Sequence, residues 1–216
     1  CVPAYDAKVT KVAKATANVL KKSGTSFGIL GSKEGCCGES VRKAGNESLF
    51  QSLAQSNIQA FREARVKQIV VSSPHCYHSF KNEYSNLGAD FVVMHMTQYL
   101  AKLLSEGKLK FSREVKKKVA YHDPCYLGRH NGVYDEPREV LKSIPGVEIV
   151  ELPDARDNAL CCGGGGGRIW METKKNERFS DLRVQQALDV GANVLAVACP
   201  YCMLNFEDTL LTNNKE

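Results

Sequence analysis

The chain has 216 residues, 43% of them hydrophobic and 25% charged, with a formal charge of +5. That length suits one large or two small packed domains, and a mild positive balance with no aromatic-interleaved basic patch argues against nucleic acid as a partner. No apolar run reaches the length of a bilayer crossing, no signal-peptide pattern is visible, and nine cysteines are too sparse for a disulfide scaffold. The odd cysteine count and two vicinal pairs instead fit reduced thiols in the cytoplasm, where metal binding or redox chemistry is the usual use.

In chain order, residues 6–22 place Val9, Val12, Ala13, Val19 and Leu20 at helical spacing, and Gly24 closes the run, which predicts a helix. Residues 27–30 (Phe-Gly-Ile-Leu) read as a short strand that delivers the chain to Cys36-Cys37-Gly38. Residues 48–65 read as an amphipathic helix through Leu49, Phe50, Leu53, Ile58 and Phe61. A buried strand at 69–71 ends at Ser73 and Cys76; a short helix near Lys81, a strand at 91–94 and a helix capped by Thr97 follow. The basic run 108–118 reads as a solvated linker.

The order then repeats. A strand at Val119 runs to Cys125, a helix begins around Pro137, and a strand at 147–150 leads toward Cys161-Cys162 and the glycines 163–167. A helix at 178–188 precedes a strand at 194–197 that ends at Cys199-Pro200-Tyr201-Cys202. Apolar strands alternating with helices imply an α/β fold of two pseudo-symmetric repeats, with parallel sheets flanked by helices. In such sheets ligands bind beyond the carboxyl ends of the strands, which is where the cysteines fall. The expected boundaries are 1–110 for the first repeat, whose N-terminal strand is missing, and 111–216 for the second. Residue 1 is a cysteine of the pattern and not Met, so the chain is expected to be the C-terminal part of a longer protein.

The cysteine register carries this reading. Cys36-Cys37-Gly38 stands 125 positions before Cys161-Cys162-Gly163, Cys76 stands 126 before Cys202, and Cys1 stands 124 before Cys125. Two copies of one template therefore account for all nine cysteines. Its single gap is Ser73, 126 positions before Cys199.

Five converging thiolates exceed what zinc needs, since a tetrahedral site takes four ligands. An ordinary [4Fe–4S] cluster also takes four cysteines. A vicinal pair is awkward for a single ion but suits a multi-iron cluster, and the glycines then let backbone N–H groups approach cluster sulfurs with no Cβ in the way. Other readings of the parts stay open. Cys199-Pro200-Tyr201-Cys202 also looks like a glutaredoxin dithiol at a strand-to-helix turn, and either set could hold structural zinc. His75 and His122 stand beside template cysteines and could orient or protonate the cofactor's surroundings. Arg129 and Arg168 flank the second set and could offset thiolate charge, Trp170 reads as core, and Asp123-Pro124 as a turn.

The whole pattern, including His122-Asp123-Pro124-Cys125-Tyr126-Leu127-Gly128-Arg129, resembles the cysteine-rich "CCG" domain of heterodisulfide reductase catalytic subunits. Related iron–sulfur proteins serve glycolate and lactate oxidation, anaerobic glycerol-3-phosphate dehydrogenase, and membrane oxidoreductases fed by electron-transfer flavoproteins; the D-type heterodisulfide reductase subunit is the nearest likeness. The resemblance implies a noncubane [4Fe–4S] cluster on Cys125, Cys161, Cys162, Cys199 and Cys202, which would also carry the redox chemistry. It implies a [4Fe–4S] cluster or zinc on Cys1, Cys36, Cys37 and Cys76, with Ser73 a departure from the pattern. Gly38, Gly163, Gly164, His122 and Arg129 would line the cofactor sites. The implied function is that of an iron–sulfur oxidoreductase subunit, with disulfide or thiol substrates. The alternatives are a pure electron relay from a flavoprotein or dehydrogenase to a membrane quinone partner, and a zinc-bound structural module. A ferredoxin-like domain, a flavoprotein or a quinone-reactive membrane subunit would be its partners, with any membrane association coming through a missing N-terminal region or such a partner.

Overall fold

The computed structural model describes residues 2–174 and 177–213, so Cys1 lies outside the described residues. Strand β1 (Gln68–Val71) pairs in parallel with β2 (Val92–His95), with Gln68 opposite Val92. In a second sheet β3 (Lys117–His122) lies between β4 (Val147–Val150) and β5 (Val194–Val197), both parallel to it. As the central strand, β3 is the most deeply buried, and Val119, Ala120, Tyr121 and His122 are all inaccessible. The helices are α1 (Val2–Tyr5), α2 (Thr10–Lys22), α3 (Glu39–Lys43), α4 (Glu47–Glu63), α5 (Pro74–His78), α6 (Met96–Ser105), α7 (Asp135–Lys142), α8 (Phe179–Asp189) and α9 (Pro200–Thr212). None of these is long and apolar enough to cross a membrane. The α/β expectation, with parallel sheets flanked by helices and cysteines past strand ends, is what the chain adopts.

The two halves are built alike where the chemistry is. α5 and α9 each start with proline at the first helical turn, where a missing N–H costs nothing. Ser73 and Cys199 occupy the same extended position just before those prolines. α4 and α8 also bury equivalent faces: Ala54, Asn57, Ile58 and Phe61 in one, Ser180, Arg183, Val184 and Ala187 in the other, each pair 126 apart. On α4, Asn46 caps the helix by accepting from Leu49 N at 3.1 Å. Phe50, Ile58 and Phe61 then pack with Tyr84, Phe80 and Phe91, each contributing about 1.5–3 kcal/mol of burial. The sheets share a core in which Tyr77, Leu127 and Val133 meet Val71, Val93 and Ala198.

Four local expectations are corrected. Residues 27–30 form no strand, and Ile29 is 81% exposed. Their counterpart β4 pairs with β3, and no strand among the described residues lies beside 27–30 to take their backbone groups. Helix α2 begins at Thr10, because residues 6–9 form a turn whose Asp6 carbonyl accepts from Val9 and Thr10. The helix expected near Lys81 starts earlier, at Pro74, and continues as a widened turn over Ser79–Glu83. Helix α6 is capped by His95 and not by Thr97: His95 Nδ1 accepts from Thr97 N at 3.2 Å, and Gln98 reaches back to His95 N. The basic run 108–118 is mostly exposed until it enters β3.

Burial of His95 pushes its pKa down to about 4. A histidine depressed in the folded state stabilises fully above its free value and loses that contribution as pH falls from 6.5 toward 4, because the unfolded chain takes the proton first. Between pH 7 and pH 5.5 the wild type is expected to lose about 1 kcal/mol more than His95→Asn, which retains a capping oxygen. Urea denaturation at the two pH values reads this; equal losses would refute it.

Candidate metal centre

The second cysteine set converges from four places in the sequence. Cys125 lies in the turn after β3, Cys161 and Cys162 in the loop after β4, Cys199 at the foot of α9, and Cys202 in its first turn. Their side chains form a continuous series, Cys125 to Cys161 to Cys162 to Cys202 to Cys199, each close enough to perturb the ionisation of the next. A ring nitrogen of His122 and the Sγ atoms of Cys162 and Cys202 all lie within 4.8 Å of one another. The loop that carries the vicinal pair is held by its backbone. Arg129 donates to the carbonyls of Asp157 and Ala159 at 3.1 and 2.7 Å, and Asn205 donates to the Cys162 carbonyl.

The glycines do what their lack of a side chain permits. Gly163, at φ 86°, donates its N–H to Cys161 Sγ at 3.3 Å, and Gly164 donates to Cys162 Sγ at 3.4 Å. These N–H groups favour thiolate. Cys161 is held far below the thiol range by hydrogen bonds from Cys125 and Cys162 and from the Gly163 N–H. Cys199 is fully buried, which pushes its pKa up, yet hydrogen bonds from Cys202 and His75 bring it down to about 5. Cys125, Cys162 and Cys202 move the other way, because each shares a hydrogen with an already charged neighbour.

The first set is smaller. Cys37 contacts both Cys36 and Cys76, and Cys36 falls to about 6 through its bond from Cys37. Gly38, at φ 80°, donates to Cys36 Sγ at 3.4 Å, and a Cβ there would stand 2.9 Å from the Phe50 ring. Ser73 is buried beside Cys76 with its hydroxyl lacking an aligned hydrogen-bond partner. Asn57 donates to the Cys36 carbonyl at 2.8 Å and Tyr84 to the Cys37 carbonyl at 3.0 Å.

The two sets meet through a buried pair. His75 Nδ1 stands 3.1 Å from Glu39 Oε1, an ionic contact with poor hydrogen-bond alignment. Burial disfavours charge on His75, but the Cys199 thiolate and Glu39 outweigh it and push its pKa up to about 10. The ring stacks on Tyr126 at 4.3 Å and meets the edge of Tyr201 at 4.9 Å. His75 belongs to the first repeat by sequence and contacts the second repeat's cysteine.

Sequence reasoning missed several members. Glu39, Asn57, Asn205 and Arg183 carry no motif, and only their fixed offset from a cysteine could have marked them. Asp123 is more than a turn former: its carboxylate takes two hydrogen bonds from buried Arg138, at 2.7 and 2.8 Å. Trp170 is 66% exposed and not core. Arg168 is exposed and donates to Thr173 at 3.3 Å. A cleft of about 560 Å³ opens over Cys161 and Cys162, lined also by Arg168, Arg178, Phe179 and Asn205.

The donor set fits a multi-iron cluster. Five sulfurs in one series of neighbours, with backbone N–H groups aimed at two of them and a buried His122 Nε2 that has no partner among the described residues, outnumber the ligands a zinc ion takes.

Comparison with known proteins agrees with this geometry. Residues 1–81 and 119–207 match the cysteine-rich domain family CCG. The chain is 46% identical over 94% of its length to "Probable iron-sulfur-binding oxidoreductase FadF" of Bacillus subtilis, of which it covers 29%. It is 42% identical over 96% of its length to "EtfAB:quinone oxidoreductase" of Syntrophomonas wolfei, covering 30% of that protein. It is 36% identical over 91% of its length to the D-type subunit of the dihydromethanophenazine:CoB–CoM heterodisulfide reductase of Methanosarcina barkeri, covering 50% of that one. The chain thus spans half or less of each of these relatives. Its paired Cys-Cys-Gly motifs, their common register and the match across both halves place it in one group: this chain belongs to the CCG cysteine-rich domain family.

Proposed function

We propose that this chain is the cysteine-rich electron-transfer part of an iron–sulfur oxidoreductase of the heterodisulfide reductase type. In this reading Cys125, Cys161, Cys162, Cys199 and Cys202 hold a noncubane [4Fe–4S] cluster. Cys36, Cys37 and Cys76, with Cys1, hold a [4Fe–4S] cluster or zinc. The two repeats divide at 110 and 111, in the exposed basic run. A bound cluster accepts and releases single electrons, over a potential range that proteins tune widely.

The observation that carries the proposal is the cleft over the second set. Cys161 and Cys162 are the cysteines that line it, and Cys161 is the half-buried one, so a small molecule can reach its sulfur while Cys162, Cys199 and Cys202 stay buried behind it. A disulfide suits the position: its reduction to two thiols takes two electrons and two protons, and the electrons arrive singly through the protein. Gly163 helps to hold Cys161 as a thiolate, Gly164 donates to Cys162 Sγ, and Asn205 fixes the loop that presents them.

A second reading is a relay without a substrate of its own, passing electrons from a flavoprotein toward a quinone partner. The name of the Syntrophomonas relative favours it. Anaerobic purification with iron, zinc and sulfide counts, followed by EPR of the oxidised protein with added thiols and disulfides, decides the matter. Iron and sulfide together with a changed spectrum are expected. An unchanged spectrum would leave the relay, and zinc without sulfide would leave a structural module.

A further inference from the structure

We propose that Arg183 acts through His122 as a fixed donor, presenting an Nε2–H, and not a lone pair, to the sulfurs of Cys162 and Cys202. This rests on the reading above that the second set holds an iron–sulfur cluster.

The argument begins with the chemistry of arginine, which has N–H donors and no acceptor. Arg183 Nε donates to His122 Nδ1 at 3.1 Å. Nδ1 must therefore carry the lone pair, and the ring hydrogen of the imidazole resides on Nε2. That tautomer is set by a neighbour that cannot turn away. Arg183 is fully buried, and its Nη1 donates to the Asp154 carbonyl at 2.6 Å and to Gln186 Oε1 at 2.7 Å. Gln186 in turn donates to Asp154 Oδ2 at 2.5 Å, closing the ring of bonds. The edge-on contact with Phe206, at 4.9 Å between centroids, fixes the plane of the imidazole.

With Nδ1 taken by Arg183, Nε2 is the nitrogen left for the Sγ atoms of Cys162 and Cys202, which lie within 4.8 Å of a nitrogen of this ring. It is buried and has no hydrogen-bond partner among the described residues. A buried donor without an acceptor is unfavourable, and the sulfur of a bound cluster is the acceptor that the position lacks. His122 is thus a positioned N–H donor to the cluster and not a sixth ligand. Donation to cluster sulfur favours the reduced, more negative state, so it raises the potential of the second cluster.

The residue of the first repeat equivalent to Arg183 is Asn57, 126 positions earlier, and it holds the Cys36 carbonyl and the Tyr84 hydroxyl instead. The arginine donor is therefore a feature of the second site, and it raises the potential there.

The test uses the whole chain loaded anaerobically with iron and sulfide and counted for both. Pulsed EPR of the protein with 15N-labelled histidine should show a weak nitrogen coupling at the second cluster and one exchangeable proton that disappears in His122→Phe. A strong coupling, as from direct imidazole ligation, would overturn the proposal. Arg183→Leu should lower the midpoint potential of the second cluster alone, and Arg183→Lys, which retains a donor, should restore most of the shift. Equal potentials in the wild type, Arg183→Leu and His122→Phe would also overturn it. Should Arg183→Leu not fold, the wild-type spectrum and His122→Phe still decide. Zinc loading without sulfide would sink the cluster reading alone; the 15N shifts of His122 in that zinc form would then report the tautomer, with hydrogen on Nδ1 as the refuting result.

Discussion

Cys162→Ser is expected to remove the cluster of the second site outright while leaving the first in place, so that roughly half of the protein-bound iron and sulfide is lost if both sites hold [4Fe–4S] clusters. Cys162 is buried at 4% exposure in the middle of the sulfur series, in contact with Cys161 on one side and Cys202 on the other. A hydroxyl there stays protonated near neutral pH and would not replace a thiolate ligand. No spare cysteine is near, because every other member of the second set already has its place. Cys199→Ser should act in the same way, and it would give the second repeat the residue that the first repeat carries at Ser73. Iron and sulfide counts with EPR of both variants, beside Cys36→Ser as the reciprocal case, read the outcome. Survival of both clusters in Cys162→Ser would show that the ligand assignment is wrong.

Arg138→Met is expected to destabilise the chain by about 3–5 kcal/mol, because it leaves the buried Asp123 carboxylate without its partner. Arg138 is buried at 4% and bonds Asp123 twice, Glu151 twice at 2.7 and 2.8 Å, and the Tyr134 carbonyl at 2.8 Å. Asp123 Oδ2 also accepts from Arg156 N at 2.9 Å. One side chain thereby ties α7, the end of β3 and the loop that descends to Cys161. Adding Asp123→Leu to Arg138→Met should recover a large part of the loss, since the cost comes from an isolated buried charge and not from the missing bond. Urea denaturation of the two variants tests this, and a double variant no more stable than the single one would refute it. Asp123 stands between His122 and Cys125, so the single variant should also lower iron occupancy at the second site.

Much of the fold was legible because its signals are local. Short apolar runs such as 194–197 announce buried parallel strands, and Pro137 announces a helix start. Where the local signal needs a partner it failed. Residues 27–30 have strand composition, but a strand exists only when a neighbour takes its backbone bonds. His95 caps α6 in place of Thr97 because the ring folds back onto the helix start, a use of histidine that no composition rule marks. Trp170 read as core from its side-chain type, yet in the glycine-rich loop it lies at the surface against the edge of Tyr201, at 6.0 Å.

The sequence by itself marked two sets of cysteines in one register and the Ser73 that interrupts one of them, because a repeat register survives as spacing along the chain and needs no coordinates. Only the tertiary structure decided which other groups face those sulfurs. His75 crosses from its own repeat to Cys199, Glu39 pairs with it in the interior, and Arg183 reaches His122 across 61 residues. Such contacts depend on how one helix face settles against a distant strand end. Packing of that kind leaves no period and no motif in the chain that folds.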